Sequence, residues 1–178
     1  MGQGQGRAGP PGPGAASPDP SDARGARAGG FELLEHTADV GIRAWAPSLE
    51  EAFEHATDGL AEVQGALTPE GSGGPPGWSP GRSGGAGGTR PVVVAAPDLG
   101  GLLVDWLNEV LWLLEVGQAG LAGVRVDRVA DGVASGSVDL APGGPDPDGT
   151  FVKAVTYHRL RVEPDPGGGW LLEVYLDV

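Results

Sequence analysis

The sequence predicts an α+β fold: a single compact domain with a largely antiparallel or mixed sheet and two helices packed on one face. Three observations carry this expectation. Two stretches repeat apolar residues at helical spacing behind a capping residue. Alternating apolar segments precede and separate them. After the second helix everything reads as strand, broken by Gly-, Pro- and Asp-rich turns. Strand, strand, helix, strand, helix and four strands is the order of an α+β layer fold, not of a βαβ repeat.

The chain has 178 residues, enough for one domain once its low-complexity stretches are set aside. Residues 1–30 are dominated by Gly, Pro, Ala and Ser. Such a composition cannot bury enough apolar area to offset the entropy of ordering it, so a disordered Gly/Pro-rich N-terminal tail is expected over 1–30. The folded domain is expected over 31–178, interrupted by a second low-complexity loop at 68–89.

Within the domain, Phe31–Glu35 and Val40–Trp45 read as strands around the turn-like Thr37-Ala38-Asp39. Ser48-Leu-Glu-Glu51 is a capping box. Leu49, Phe53, Ala56, Leu60 and Val63 then form one apolar stripe, with Glu50, Glu54 and Asp58 as an acidic outer face. Arg90–Ala96 is a β-branched strand. Asp98-Leu-Gly-Gly opens the most hydrophobic helix, Leu102–Val116, in which Trp112 and Leu113 widen the stripe and imply cover on more than one side. Val124–Val129, Val133–Leu140, Val152–Val162 and Trp170–Leu176 are the remaining strands, the last two a hairpin across a Pro-Asp-Pro-Gly-Gly-Gly turn.

Charge narrows the chemistry. The net charge is −13, and the tail is slightly basic, so the domain is more acidic still. Direct binding of nucleic acid is not expected, because nothing neutralises the phosphates. Cysteine is absent, which excludes disulfides and thiolate metal sites. Neither a membrane span nor a secretory signal is legible, and a cytoplasmic location is the default expectation. Glycine-rich runs lack the Gly-Lys-Ser/Thr of a phosphate loop. Ser135, Ser137 and Thr156 lack the turn context of a nucleophile. His36, His55 and His158 are too scattered for a zinc site.

Oxygen chemistry remains. Asp39 sits at a strand junction among small residues, and the sequence closes on Asp177-Val178 at a strand end. If the two ends meet, carboxylates converge, either as a hard-cation site or as acids that cap turns and confer solubility. Spacing alone leaves both readings open.

Phe31-Glu-Leu-Leu-Glu-His-Thr-Ala-Asp-Val40, Ser48-Leu-Glu-Glu-Ala-Phe53, Leu102-Leu-Val-Asp-Trp-Leu-Asn-Glu109, Val152-Lys-Ala-Val-Thr-Tyr-His158 and the closing Leu176-Asp-Val178 together resemble the archease family. The resemblance spans Phe31–Val178 without the two low-complexity segments. It implies an α+β domain and a non-enzymatic, cytoplasmic accessory protein of the RtcB-type RNA ligase in tRNA splicing and RNA repair. In that role it would promote GTP-dependent guanylylation of the ligase and multiple turnover. It also implies a metal site, described with calcium (Ca2+), made by Asp39, Asp177 and Val178. Two alternatives are a chaperone-like module for a tRNA-modifying methyltransferase and a metal-dependent hydrolase built on the same aspartates. Where the family carries a Gly-Glu pair, this chain has Gly136-Ser137.

Overall fold

A computed structural model describes residues 1, 28–35, 39–67, 87–144, 146 and 148–178. Residues 2–27, His36-Thr37-Ala38 and most of the 68–89 segment lie outside the described residues. Among the described residues nine elements follow in order: β1 (Gly30–Glu35), β2 (Val40–Ala46), α1 (Leu49–Val63), β3 (Gly88–Ala95), α2 (Leu99–Gly117), β4 (Ala119–Ala130), β5 (Val133–Pro142), β6 (Ala154–Pro164) and β7 (Trp170–Asp177).

The α+β class and the two helices are as expected, but the strands divide into two antiparallel sheets. One has the order β1-β2-β7-β6 and the other β3-β5-β4. Each helix touches strands of both: α1 packs on β1, β2, β7 and β4, and α2 on β6, β3, β4 and β5. The physical reason is the width of the apolar stripes. In α2 the buried positions include Leu102, Leu103, Val104, Trp106, Leu107, Val110, Leu111 and Leu114, too many for one contact face. Trp112 is not among them; it is 53% exposed.

Local signals set the helix ends. Ser48 Oγ accepts from the Glu51 N–H at 3.2 Å, and Asp98 Oδ1 accepts from the Gly101 N–H at 2.7 Å. Each cap satisfies an N–H that the helix itself leaves unpaired. The Asp98 cap starts α2 at Leu99, three residues before its apolar pattern does. Gln118, left-handed at φ 44°, ends the helix and turns the chain straight into β4. β4 therefore begins at Ala119, five residues before its alternation becomes legible, and its small residues pair with the end of β5. Between the helices, Phe53 and Trp106 meet edge to face with centroids 6.5 Å apart. The Trp106 indole N–H donates to Thr57 Oγ1 at 3.0 Å, satisfying the one polar group that this large buried side chain brings inside.

Polar side chains of the helices seal the sheet edges. Glu54 Oε1 accepts from the Val126 N–H at 2.8 Å, and Glu50 Oε1 from the Val129 N–H at 3.1 Å, along the outer edge of β4. The acidic face expected on α1 is thus partly consumed as edge cover. On α2, Asn108 serves β6 in the same way. Its Nδ2 donates to Val155 O at 3.2 Å, and its Oδ1 accepts from the Val155 N–H at 3.0 Å. An unpaired strand edge is a template for aggregation, and these side chains remove that exposure.

Candidate functional site at the open end of β2 and β7

β7 alternates strictly. Leu172, Val174 and Leu176 face the core, while Glu173, Tyr175 and Asp177 point to the opposite face. Its neighbour β2 follows the same rule, and Val40 pairs with Leu176. One step beyond that pair, Asp39 comes level with Asp177. Two residues separated by most of the sequence are thereby brought together at one sheet end by register alone.

The outer face leading to this end is built in cross-strand rows. The first crosses all four strands through Glu32, Arg43, Glu173 and Arg161. Arg43 donates to Glu32 Oε1 at 2.8 Å, and from Nε and Nη2 to Glu173 Oε2 at 3.2 Å each. Arg161 Nη1 stands 3.6 Å from the same oxygen, and Arg161 Nη2 pairs with Glu163. The hydrogen bond from Arg43 to Glu32, aided by Glu173 and opposed by burial, raises the already high pKa of the guanidinium. Arg43 is therefore a permanent cation, and it holds Glu173 in place although that residue is only 7% exposed.

The next row passes through Leu34, Gly41, Tyr175 and Thr156. Tyr175 is buried although it lies on the outer face. Its ring lies over Gly41, where an added Cβ would come within 2.9 Å of Tyr175 Cε1. His158 meets the ring edge-on at 5.8 Å, and the Arg159 guanidinium lies 5.7 Å from its centroid. This cover exists because β6 loses register between Thr156 and Arg161, with Arg159 left-handed at φ 51°. An irregularity of this kind re-aims side chains beside a site. The Tyr175 hydroxyl donates to Glu173 Oε1 at 3.2 Å, and Thr156 Oγ1 donates to Tyr175 O at 3.0 Å.

Beyond this row a cavity of about 350 Å³ is lined by Asp39, Thr156, His158, Tyr175, Leu176 and Asp177. It holds both predicted aspartates. Val178 sits alongside: its side chain packs on the core and its main-chain oxygen accepts from Lys153 Nζ at 2.9 Å. The same ammonium stands 3.9 Å from Asp177 Oδ1, and the Lys153 N–H donates to Asp177 O at 2.8 Å. The lysine thus ties the end of β7 to the start of β6. A larger cavity of about 410 Å³ lies elsewhere and contains neither aspartate.

Among the described residues, no group of three or more His, Cys, Asp and Glu side chains is arranged to hold a metal ion. His36 of the His-Thr-Ala-Asp motif is outside those residues. What the described residues offer is a set of hard oxygens from Asp39, Asp177 and Val178, with a cation, the Lys153 ammonium, already beside the last two. That donor chemistry suits an oxygen-seeking divalent ion completed by water. Sequence reasoning missed Tyr175, which organises the cavity floor. Its importance depends on facing Gly41, a pairing visible only once register is known.

Residues 31–178 match the profile of the Archease protein family (MTH1598/TM1083). The chain belongs to the archease family. It is 33% identical over 154 residues to the archease of Methanosarcina mazei, covering 83% of this chain and 95% of that protein. With the archease of Thermococcus gammatolerans it shares 33% identity over 156 residues, covering 83% and 98%. The solution structure of Methanobacterium thermoautotrophicum protein 1598 superposes with a TM-score of 0.57 at 27% identity, covering 84% of this chain and 99% of that one. The crystal structure of a Thermotoga maritima archease, described as a possible chaperone, gives 0.51 at 23% identity, covering 83% and 96%, and supports the fold. Apart from Gly30 at the start of β1, the strands, the helices and the cavity fall inside the matched region. No helix among the described residues is long and apolar enough to cross a membrane.

Proposed function

We propose that this archease is a non-catalytic, cytoplasmic activator of an RtcB-type RNA ligase, acting through the acidic end of β2 and β7. Family membership supports an accessory, chaperone-like role. The observation that carries the finer reading is the register that sets Asp39 level with Asp177, beside Val178, in one open cavity. A surface of this kind presents charge to a partner. No activated nucleophile stands among its described lining residues.

In this reading Asp39, Asp177 and Val178 hold a divalent cation, calcium in the family's description. The bound ion would concentrate positive charge where a partner's nucleotide phosphates are aligned. The chain's own contributions are positional. Lys153 holds the end of β7 against β6, and Tyr175 with His158 fixes the cavity floor. The Arg43–Glu173 row keeps the sheet face rigid behind them. Aligning the reacting groups of a nucleotidyl transfer is an entropic contribution that needs no catalytic side chain from the activator.

The test is guanylylation of purified ligase by GTP with and without this protein. Stimulation by the wild-type chain and its loss in Asp39→Ala and Asp177→Ala is the expected result. Full stimulation by both variants rules the reading out. A tag fused after Val178 should abolish the effect, whereas one placed before residue 28 should not.

A further inference from the structure

The cavity of about 410 Å³ opens where the ends of α1 and α2 meet the loop before β6. Its lining holds two carboxylates, Glu115 and Asp146, two side-chain amides, Gln64 and Gln118, and the ring of Phe151. No basic side chain lines it among the described residues. Gln64 is 3% exposed, and its Oε1 is buried with no hydrogen-bond partner among the described residues. A buried acceptor without a donor is costly, and native structures rarely leave one so. Phe151 shows the opposite anomaly: it is a large aromatic residue left 68% exposed.

The cavity is built into the backbone. The Asp146 N–H donates to Gly65 O at 3.1 Å, the Gly149 N–H to Asp146 O at 2.8 Å, and the Thr150 N–H to Val63 O at 3.0 Å. Asp146 Oδ1 accepts from the Asp148 N–H at 2.9 Å, which orients the carboxylate. Gly149 lies so close to the end of α1 that an added Cβ would come within 2.2 Å of Gln64 O. The loop is therefore clamped onto α1 by contacts that admit no side chain there.

We propose that this cavity receives an arginine side chain of a partner protein. A guanidinium carries five N–H donors and no acceptor, which answers a lining rich in acceptors and an orphaned amide oxygen. Its charge meets Glu115 and Asp146, and its plane stacks on the exposed ring of Phe151. A hydrated divalent ion would gain nothing from that ring. The net charge of −13 favours a basic partner over long range. Phe151 stands two residues before Lys153, whose ammonium meets Asp177, so a partner seated at the acidic end of β7 comes within reach of this cavity. The inference stands on the cavity's own residues and does not depend on the ligase reading.

The full chain, isotopically labelled, is titrated with N-acetyl-arginine methylamide and with its neutral isostere, N-acetyl-citrulline methylamide, while the Gln64 side-chain amide and the Phe151 ring are followed by NMR. The arginine probe should shift both signals, and the citrulline probe should bind at least about fivefold more weakly. Glu115→Gln and Phe151→Ala change exposed side chains that the fold does not need, and each should weaken the arginine probe by about the same factor. Unmoved Gln64 and Phe151 signals, an equal response to citrulline, or full affinity in both variants overturns the proposal. Spermidine moving these signals where the arginine probe does not also overturns it, in favour of a free polyamine.

Discussion

Lys153 is the residue on which the chemistry of the acidic end turns. Its ammonium stands beside Asp177 and the Val178 oxygen, so it would compete with a divalent cation proposed to bind the same oxygens. Both partners are more than half exposed, and such pairs contribute little. Lys153→Ala should therefore raise calcium affinity by no more than about fivefold, measured by isothermal titration. An unchanged affinity would show that the lysine and the ion do not share a site. Gly41→Ala tests the cavity floor. The new Cβ would press on Tyr175 from 2.9 Å, and overpacking of this kind costs about 1–3 kcal/mol in denaturant unfolding. Asp39 and Asp177 were legible as residues, and so was their acidity. Tyr175 was not, because a tyrosine in an alternating strand says nothing of what it faces across the sheet.

Among the elements, β6 and β4 are both held from outside their sheets. Asn108 of α2 gives the strand edge both a donor and an acceptor at Val155. Asn108→Ala would leave two backbone groups unpaired near the core, at a cost of about 1–3 kcal/mol. Faster hydrogen exchange at the Val155 amide would show that the loss is local to the start of β6. Glu54→Gln keeps an acceptor for the Val126 N–H, whereas Glu54→Ala does not. The alanine variant should be less stable than the glutamine variant by about 1 kcal/mol in thermal unfolding. Helical spacing revealed α1 and α2 because caps and apolar period are local properties. The use of Glu50, Glu54 and Asn108 as edge partners was hidden, since a polar residue beside an apolar stripe reads as solvated until a strand edge arrives next to it.

At the scale of the whole molecule, one core joins both sheets through the two helices. Trp106 sits at its centre, fully buried and tied to Thr57. Trp106→Phe removes volume and the indole donor together, and should cost about 2–4 kcal/mol by urea unfolding. The α+β class and the order of nine elements are functions of local sequence, through apolar period, capping residues and Gly/Pro turns. Composition likewise set the acidity and the absence of thiolate chemistry. The division of the described strands into two sheets depended on which strands met, and neither period nor propensity encodes that. The same holds for the two aspartates. The sequence by itself determined that Asp39 and Asp177 each stand at the end of an alternating strand. Only the antiparallel register of β2 against β7 decided that they share one cavity, because a side-chain period of two lets one residue of slip turn either carboxylate to the other face.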